Sequence, residues 1–248
     1  MASGVRNLRR LPGTPPEWLV HDGPSRCPYL PSQIARLPLR LPTRRLRPAE
    51  FAQRLVAGDR RQGLFLYRPA CPSCQACQAI RMDVYRFAPN KTQRRILRRG
   101  DALFTTDIGQ PECTAERVAL YNRHKLERGL VSSDGLIDSD AYEQFLVETC
   151  ADTFELRYQH GTRLIGVAIT DRAMDALSAV YCFYDPTYAR FSLGAYSILK
   201  QIELCRAWGL RYLYLGLYVG GSRPMAYKAG YLPHERLIDG VWHRFEGA

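Results

Sequence analysis

Residues 154–219 follow an order that few folds accommodate. Three strand-like apolar runs, 154–158, 164–170 and 177–184, precede one long helical period at 193–208 and another strand-like run at 211–219. The helical period carries Leu193, Tyr196, Ile198, Leu199, Ile202 and Cys205, and Gly209 stops it. Strands followed by a long helix and a further strand can bury their apolar faces only as helices packed on a sheet, so the fold class is α/β or α+β. A last strand is expected at 237–245. Upstream, Val118, Tyr121 and Leu126 predict a helix over 116–128 ended by Gly129, and Asp138 or Ser139 caps a second one running to 148. No internal repeat interrupts this order.

Charge divides the 248 residues differently. Residues 1–100 hold 20 Lys+Arg and 5 Asp+Glu, a net of +15; the remaining 15 and 19 give −4, which recovers the total of +11. A positive half of this strength suits a polyanion, with nucleic acid the first choice. The composition break places a domain boundary at 100–112, where Gly100, Gly109 and Pro111 interrupt the periodicity. The expected organisation is a disordered stretch over 1–16, a basic cysteine-containing domain over 17–100 made of short strands and one basic helix, and a second domain over 101–248. No apolar run long enough for a membrane span or a secretory signal occurs, so no membrane is expected and the chain reads as soluble and cytoplasmic.

Three features carry chemistry. Cys71, Cys74 and Cys77 stand at a spacing of three, and Cys27 could supply a fourth thiol. Such turns hold zinc or an iron–sulfur cluster, or simply pack reduced thiols. The run 91–99 places Arg94, Arg95, Arg98 and Arg99 around a short helix anchored by Ile96 and Leu97. Guanidinium groups grip phosphate through two oxygens each. At the start of the helix over 193–208, Ser192 and Gly194 let a ligand approach unpaired backbone N–H groups, a place suited to phosphate. The five histidines sit in unrelated contexts and are expected at surface or capping positions.

Several short motifs occur together in one order. They are 67–77 (Tyr-Arg-Pro-Ala-Cys-Pro-Ser-Cys-Gln-Ala-Cys), Gln93-Arg94-Arg95, Leu177-Ser178-Ala179-Val180-Tyr181, Phe183-Tyr184-Asp185-Pro186, Ser192-Leu193-Gly194, Gln201-Ile202-Glu203 and Met225-Ala226-Tyr227-Lys228. Over roughly residues 20–236 the chain resembles the aminoacyl-tRNA–protein transferases, and within them the bacterial aspartate/glutamate leucyltransferases. It departs from that pattern at Ala176, Leu217 and Pro224. The resemblance implies an acetyltransferase-like (GNAT) C-terminal domain with the basic N-terminal domain packed on it. It implies transfer of leucine from leucyl-tRNA to proteins whose N-terminal residue is Asp or Glu, marking them for N-degron (N-end rule) degradation.

That reaction is aminolysis of an activated ester. An α-amine with a pKa of ~7.7–8.0 is partly neutral at cellular pH, so no covalent nucleophile and no cofactor is required for the chemistry. Positioning and donors at the developing oxyanion can carry it. The expected cations for the acidic acceptor are Lys228, Arg223 and Arg81; the cradle for the terminal adenosine and ester is Tyr181, Tyr184, Ser192, Gly194 and Tyr218. Asp185 is the expected proton acceptor, ahead of Glu155, and Arg94, Arg95 and Arg98 the expected tRNA contacts. Three alternatives stay open at this point. They are an arginyl donor with the same acceptors, a CoA-dependent N-acetyltransferase, and a metal-stabilised nucleic-acid-binding protein without catalysis.

Overall fold

Alternating apolar residues give the second half of the chain its strands, and the first half contributes one more to the same sheet. The computed structural model describes residues 8–131 and 135–247. The strands of residues 8–83 are β1 (Arg9–Leu11), β2 (Glu17–His21), β3 (Pro24–Arg26), β4 (Ile34–Arg36), β5 (Leu39–Pro42), β6 (Arg60–Gln62), β7 (Phe65–Tyr67) and β8 (Gln78–Asp83). Those that follow are β9 (Thr105–Gly109), β10 (Asp152–His160), β11 (Arg163–Arg172), β12 (Ala176–Tyr184), β13 (Tyr212–Tyr218), β14 (His234–Ile238) and β15 (Val241–Phe245). The helices are α1 (Pro48–Val56), α2 (Lys91–Asp101), α3 (Ala115–Glu127), α4 (Ser139–Tyr142), α5 (Leu193–Ala207) and α6 (Arg223–Ala226).

The large sheet has the order β15-β14-β8-β13-β12-β11-β10-β9, and a smaller one has the order β1-β2-β5-β7-β6. On one face of the large sheet α5 buries Leu193, Tyr196, Leu199, Ile202 and Cys205, with Ile96 and Leu97 of α2 packed beside them. On the other face Tyr121 of α3 and Tyr142 of α4 close over Phe183. Asp138 caps α4 by accepting from the Ala141 amide at 2.8 Å, and Thr114 does the same for α3.

Several expectations change. Residues 9–11, within the stretch expected to be disordered, pair with β2; residues 1–7 lie outside the described residues. Helix α1 was not anticipated: Pro48 opens it, and the Glu50 carboxylate accepts from the Arg47 amide at 2.8 Å. The single strand expected at 237–245 is a hairpin. Asp239 and Gly240 turn it with φ of 49° and 79°, a two-residue Asp-Gly turn whose twist matches its strands. His124 and His234 are buried, not at the surface. The composition boundary at 100–112 is also not where the sheet ends, since β8 lies between β13 and β14.

The two sheets are tied through β6. Arg61 donates from Nε to both oxygens of Asp171 on β11 at 3.0 and 2.8 Å, and neither side chain is exposed. Thr153 Oγ1 donates to the same carboxylate at 2.6 Å. Arg61 Nη2 is buried without a partner, so this ion pair adds little net stability.

Candidate active site

The opening lies where two parallel strands separate. Strands β12 and β13 pair in parallel only from Ala176/Tyr212 to Ser178/Tyr214, although β12 continues to Tyr184 and β13 to Tyr218. Two irregularities accompany the separation. Val180 is skipped in the β11–β12 register, and the β13–β8 register shifts between Tyr214 and Leu217. Gly216, inside that shift, has φ of +87°, which costs a side-chain-bearing residue strain.

Two cations converge on Gly216. A Cβ there would meet Arg60 Nη2 at 3.3 Å and Lys228 Nζ at 3.4 Å. Arg60 comes from β6, the neighbour of Arg61, and donates to Ser178 Oγ at 3.1 Å and the Ala179 carbonyl at 2.8 Å. Lys228 donates to the Leu217 carbonyl at 2.8 Å. They are only 7% and 9% exposed, and no carboxylate among the described residues forms a salt bridge with either. Burial and the Arg60 charge lower the Lys228 ammonium from its ordinary range to about 7. Removing two unpaired charges from water costs several kcal/mol each, on the order of the figure for buried ions generally. Their donors go to Ser178, to the Ala179 carbonyl and to the Leu217 carbonyl.

Beyond the cations the opening is aromatic. Tyr227 retains 54% of its surface yet sits so deep among protein atoms that burial pushes its phenol up to about 12. Tyr227 lies within electrostatic reach of Cys182, Arg128 and Tyr184. Tyr184 accepts from Arg128 Nη1 at 2.9 Å, and its ring edge would touch a Cβ on Gly194 at 3.7 Å. Tyr184 thus lies between the surroundings of Tyr227 and the start of α5. There Ser192 takes a left-handed conformation (φ 57°, ψ 49°) with no side-chain cap bond, which leaves the first amides of α5 for a ligand.

The basic helix leads to the same place. Arg94, Arg95, Arg98 and Arg99 are exposed on α2, and Ile96 with Leu97 faces the core. Arg99 and Arg190 both lie over the Phe191 ring, at 5.2 and 4.9 Å, immediately before Ser192.

Other expected residues stand elsewhere. Asp185 has no exposed side chain; it pairs with Arg123 at 2.8 Å and Arg163 at 2.6 Å and accepts from the Thr187 amide and hydroxyl. Burial pushes its carboxyl up, but the Thr187 donors and the two arginines outweigh that and hold it below the ordinary range. It is a cap and an ion-pair hub whose oxygens are already held by Arg123, Arg163 and Thr187. Glu155 is buried against Arg117. Tyr181 turns to the α3 side, its ring 5.5 Å from that of Tyr121. Arg81 is held between the rings of Tyr212 and Trp242, 4.1 Å from each, and donates to Glu235 and Tyr214. Tyr218, near the end of β13, stacks on Arg236 at 4.5 Å. The Arg223 side chain lies outside the described residues.

The four clustered cysteines approach one another next to the cation pair. Burial and the neighbouring thiols of Cys27, Cys71 and Cys74 push Cys77 up to about 11, and Cys77 in turn acts on Tyr29 and Tyr67 beside Arg60. Cys27 accepts from the Leu30 amide at 3.4 Å. The thiols sense one another electrostatically, yet among the described residues no three His, Cys, Asp or Glu side chains converge on one point at metal-binding geometry.

The site is thus a sheet opened between two parallel strands, with a helix start and a cation pair beside the opening, in a mixed α/β fold. Comparison with known proteins narrows this. Residues 25–95 match the N terminus, and residues 116–238 the C terminus, of the arginine-tRNA-protein transferase family. The aspartate/glutamate leucyltransferase of Thiobacillus denitrificans is 40% identical over 89% of this chain and 91% of its own length. That of Chromobacterium violaceum is 38% identical over 88% and 90%. Among solved structures, FemX covers 73% of this chain and 63% of its own at 8% identity and a TM-score of 0.45. The chain belongs to the aminoacyl-tRNA–protein transferase family, in the branch of the aspartate/glutamate leucyltransferases.

Arg60 is the candidate site residue that sequence reading misses. It sits in a short charged run, Asp59-Arg60-Arg61, with no distinctive spacing. Its partners Ser178 and Ala179 are more than a hundred residues away, so nothing local marks it.

Proposed function

We propose that the protein transfers leucine from leucyl-tRNA to the α-amine of polypeptides that begin with Asp or Glu. The observation that carries this reading is the buried pair Arg60 and Lys228, which no carboxylate of the chain neutralises among the described residues. An acidic side chain at the acceptor N-terminus supplies the missing anion and places the adjacent α-amine in the opening. The terminal adenosine and its ester lie along Tyr227, Tyr184 and the start of α5, and the acceptor arm of the tRNA runs over Arg94, Arg95, Arg98 and Arg99.

Leucine is favoured over arginine as the donor by the charge of the wall. No carboxylate contributes to the surroundings of Cys182, Tyr184, Tyr227 or Tyr231 among the described residues, and the cation Arg128 acts on the first three. An arginyl side chain would meet like charge there. The reaction needs the amine held on the ester carbonyl, worth several kcal/mol as positioning, and donors for the oxyanion. Modification of N-terminal Asp and Glu in this way marks proteins for N-degron degradation, the cellular role that fits the reaction.

Purified protein with an Asp-initiated peptide and separately labelled leucyl-tRNA, arginyl-tRNA and acetyl-CoA tests the reading. Label should reach the peptide from leucyl-tRNA. Label from acetyl-CoA alone, or from none, overturns it, and label from arginyl-tRNA alone moves the donor assignment.

A further inference from the structure

The opening contains an acceptor for the proton that the attacking amine must lose, and it is not a carboxylate. Asp185 and Glu155 are both consumed by arginines. Lys228 is different. Its Nζ is buried, it makes one bond to the Leu217 carbonyl and a loose contact with Met225 Sδ at 3.8 Å, and it faces Arg60 across Gly216. Arg60 is the one charged group that acts on it among the described residues, and no carboxylate favours its charged form.

Resting on the proposed function, we infer that Lys228 takes the proton from the acceptor's α-ammonium as the acceptor's side-chain carboxylate docks between Lys228 and Arg60. The N–H bond of the ammonium breaks, its electron pair stays on the α-nitrogen, and the lone pair of Lys228 Nζ bonds the proton. The free amine then attacks the ester carbonyl, and the C–O bond to the terminal ribose of the tRNA breaks. The ribose oxygen leaves with a second proton from the same nitrogen. Product release returns the Lys228 proton to solvent.

The physical logic is a coupled equilibrium. An amine and a buried lysine of similar basicity exchange a proton at little cost; the Lys228 ammonium at about 7 lies just below an α-amine at ~7.7–8.0. The incoming carboxylate then favours the charged lysine, because an opposite charge within a few ångströms stabilises it. Recognising the acidic residue and activating its amine become one event. A neutral side chain such as Asn would neither fill the site nor pull the proton across.

The test separates cation from base. Lys228→Arg keeps the charge, but guanidinium does not release its proton in proteins. With saturating leucyl-tRNA, Lys228→Arg should hold the KM for an Asp-initiated peptide within about threefold. It should lower kcat by roughly tenfold or more at pH 7, within the range of general acid–base effects, with recovery towards pH 9 as the amine deprotonates unaided. Wild-type kcat and pH profile in Lys228→Arg would overturn the inference while leaving the proposed function intact. Wild-type protein that transfers nothing from leucyl-tRNA would overturn both. A measurement on unmutated protein covers the case of a misfolded variant. A succinyl-initiated peptide is the Asp peptide without its amine, so at pH 8 its binding should draw close to one proton from the buffer. The Asp peptide should draw far less. Equal uptake, or no binding of the succinyl peptide, overturns the inference.

Discussion

Two basic side chains, Arg60 and Lys228, are buried with no carboxylate in a salt bridge to either among the described residues. For Lys228 the sign of the pH effect follows directly. Its folded value of about 7 lies below the ordinary lysine value of 10.5, so the unfolded chain binds more protons between them. Stability therefore rises with pH through that window, and the cost of the buried charge is fully present below about 7. Lys228→Met should raise the thermal midpoint over wild type at pH 6, with the gain shrinking towards pH 10, while selection for acidic acceptors is lost. A lower midpoint at pH 6 would contradict this. Arg60→Met removes charge-assisted bonds worth about 1.5–3 kcal/mol, so an Asp-initiated acceptor should bind roughly ten- to a hundredfold less tightly and an Asn-initiated one should change little. Competition binding with the two peptides measures both. Lys228 was legible in the sequence because it lies in a four-residue motif; Arg60 was not, because its meaning comes from a strand it meets only after folding.

Elements with a strong period could be read before the structure was in view, and those set by pairing could not. The residues of α5, α3 and β10 to β13 carry enough apolar repetition to fix type and approximate bounds. The helix capped at Asp138 was legible from that cap, whereas α1 has only nine residues, too few for its Phe51–Leu55 spacing to repeat. The orientation of Tyr181 was misread for a related reason. Skipping Val180 in the ladder moves the residues after it to the opposite face from strict alternation, which puts Tyr181 with α3 and Cys182 and Tyr184 with α5. The contact of α2 with α5 depends on Gly100, where a Cβ would come within 2.3 Å of the Tyr196 ring. Gly100→Ala should cost about 1–3 kcal/mol as overpacking, read as a lower urea midpoint, and should weaken tRNA binding by displacing the basic helix.

For the molecule as a whole the charge asymmetry becomes a surface track. The arginines of α2 meet Arg190 at Phe191 and so continue to the start of α5. Neutralising Arg94, Arg95 and Arg98 together should weaken binding of every tRNA alike and flatten the salt dependence by roughly two to three units of slope. Titration of tRNA binding against salt checks this, and an unchanged slope removes α2 from the footprint. Among the described residues no helix is long and apolar enough to cross a membrane. The boundary drawn from composition could not foresee β8, since pairing across the chain leaves no mark in local charge. That strand also orders events in time. Arg81 on β8 reaches Glu235 across 154 positions of sequence, and both strands hydrogen-bonded to β8 are made after it. The central sheet therefore cannot close before β13 and β14 have been made, and until then β8 exposes two open edges.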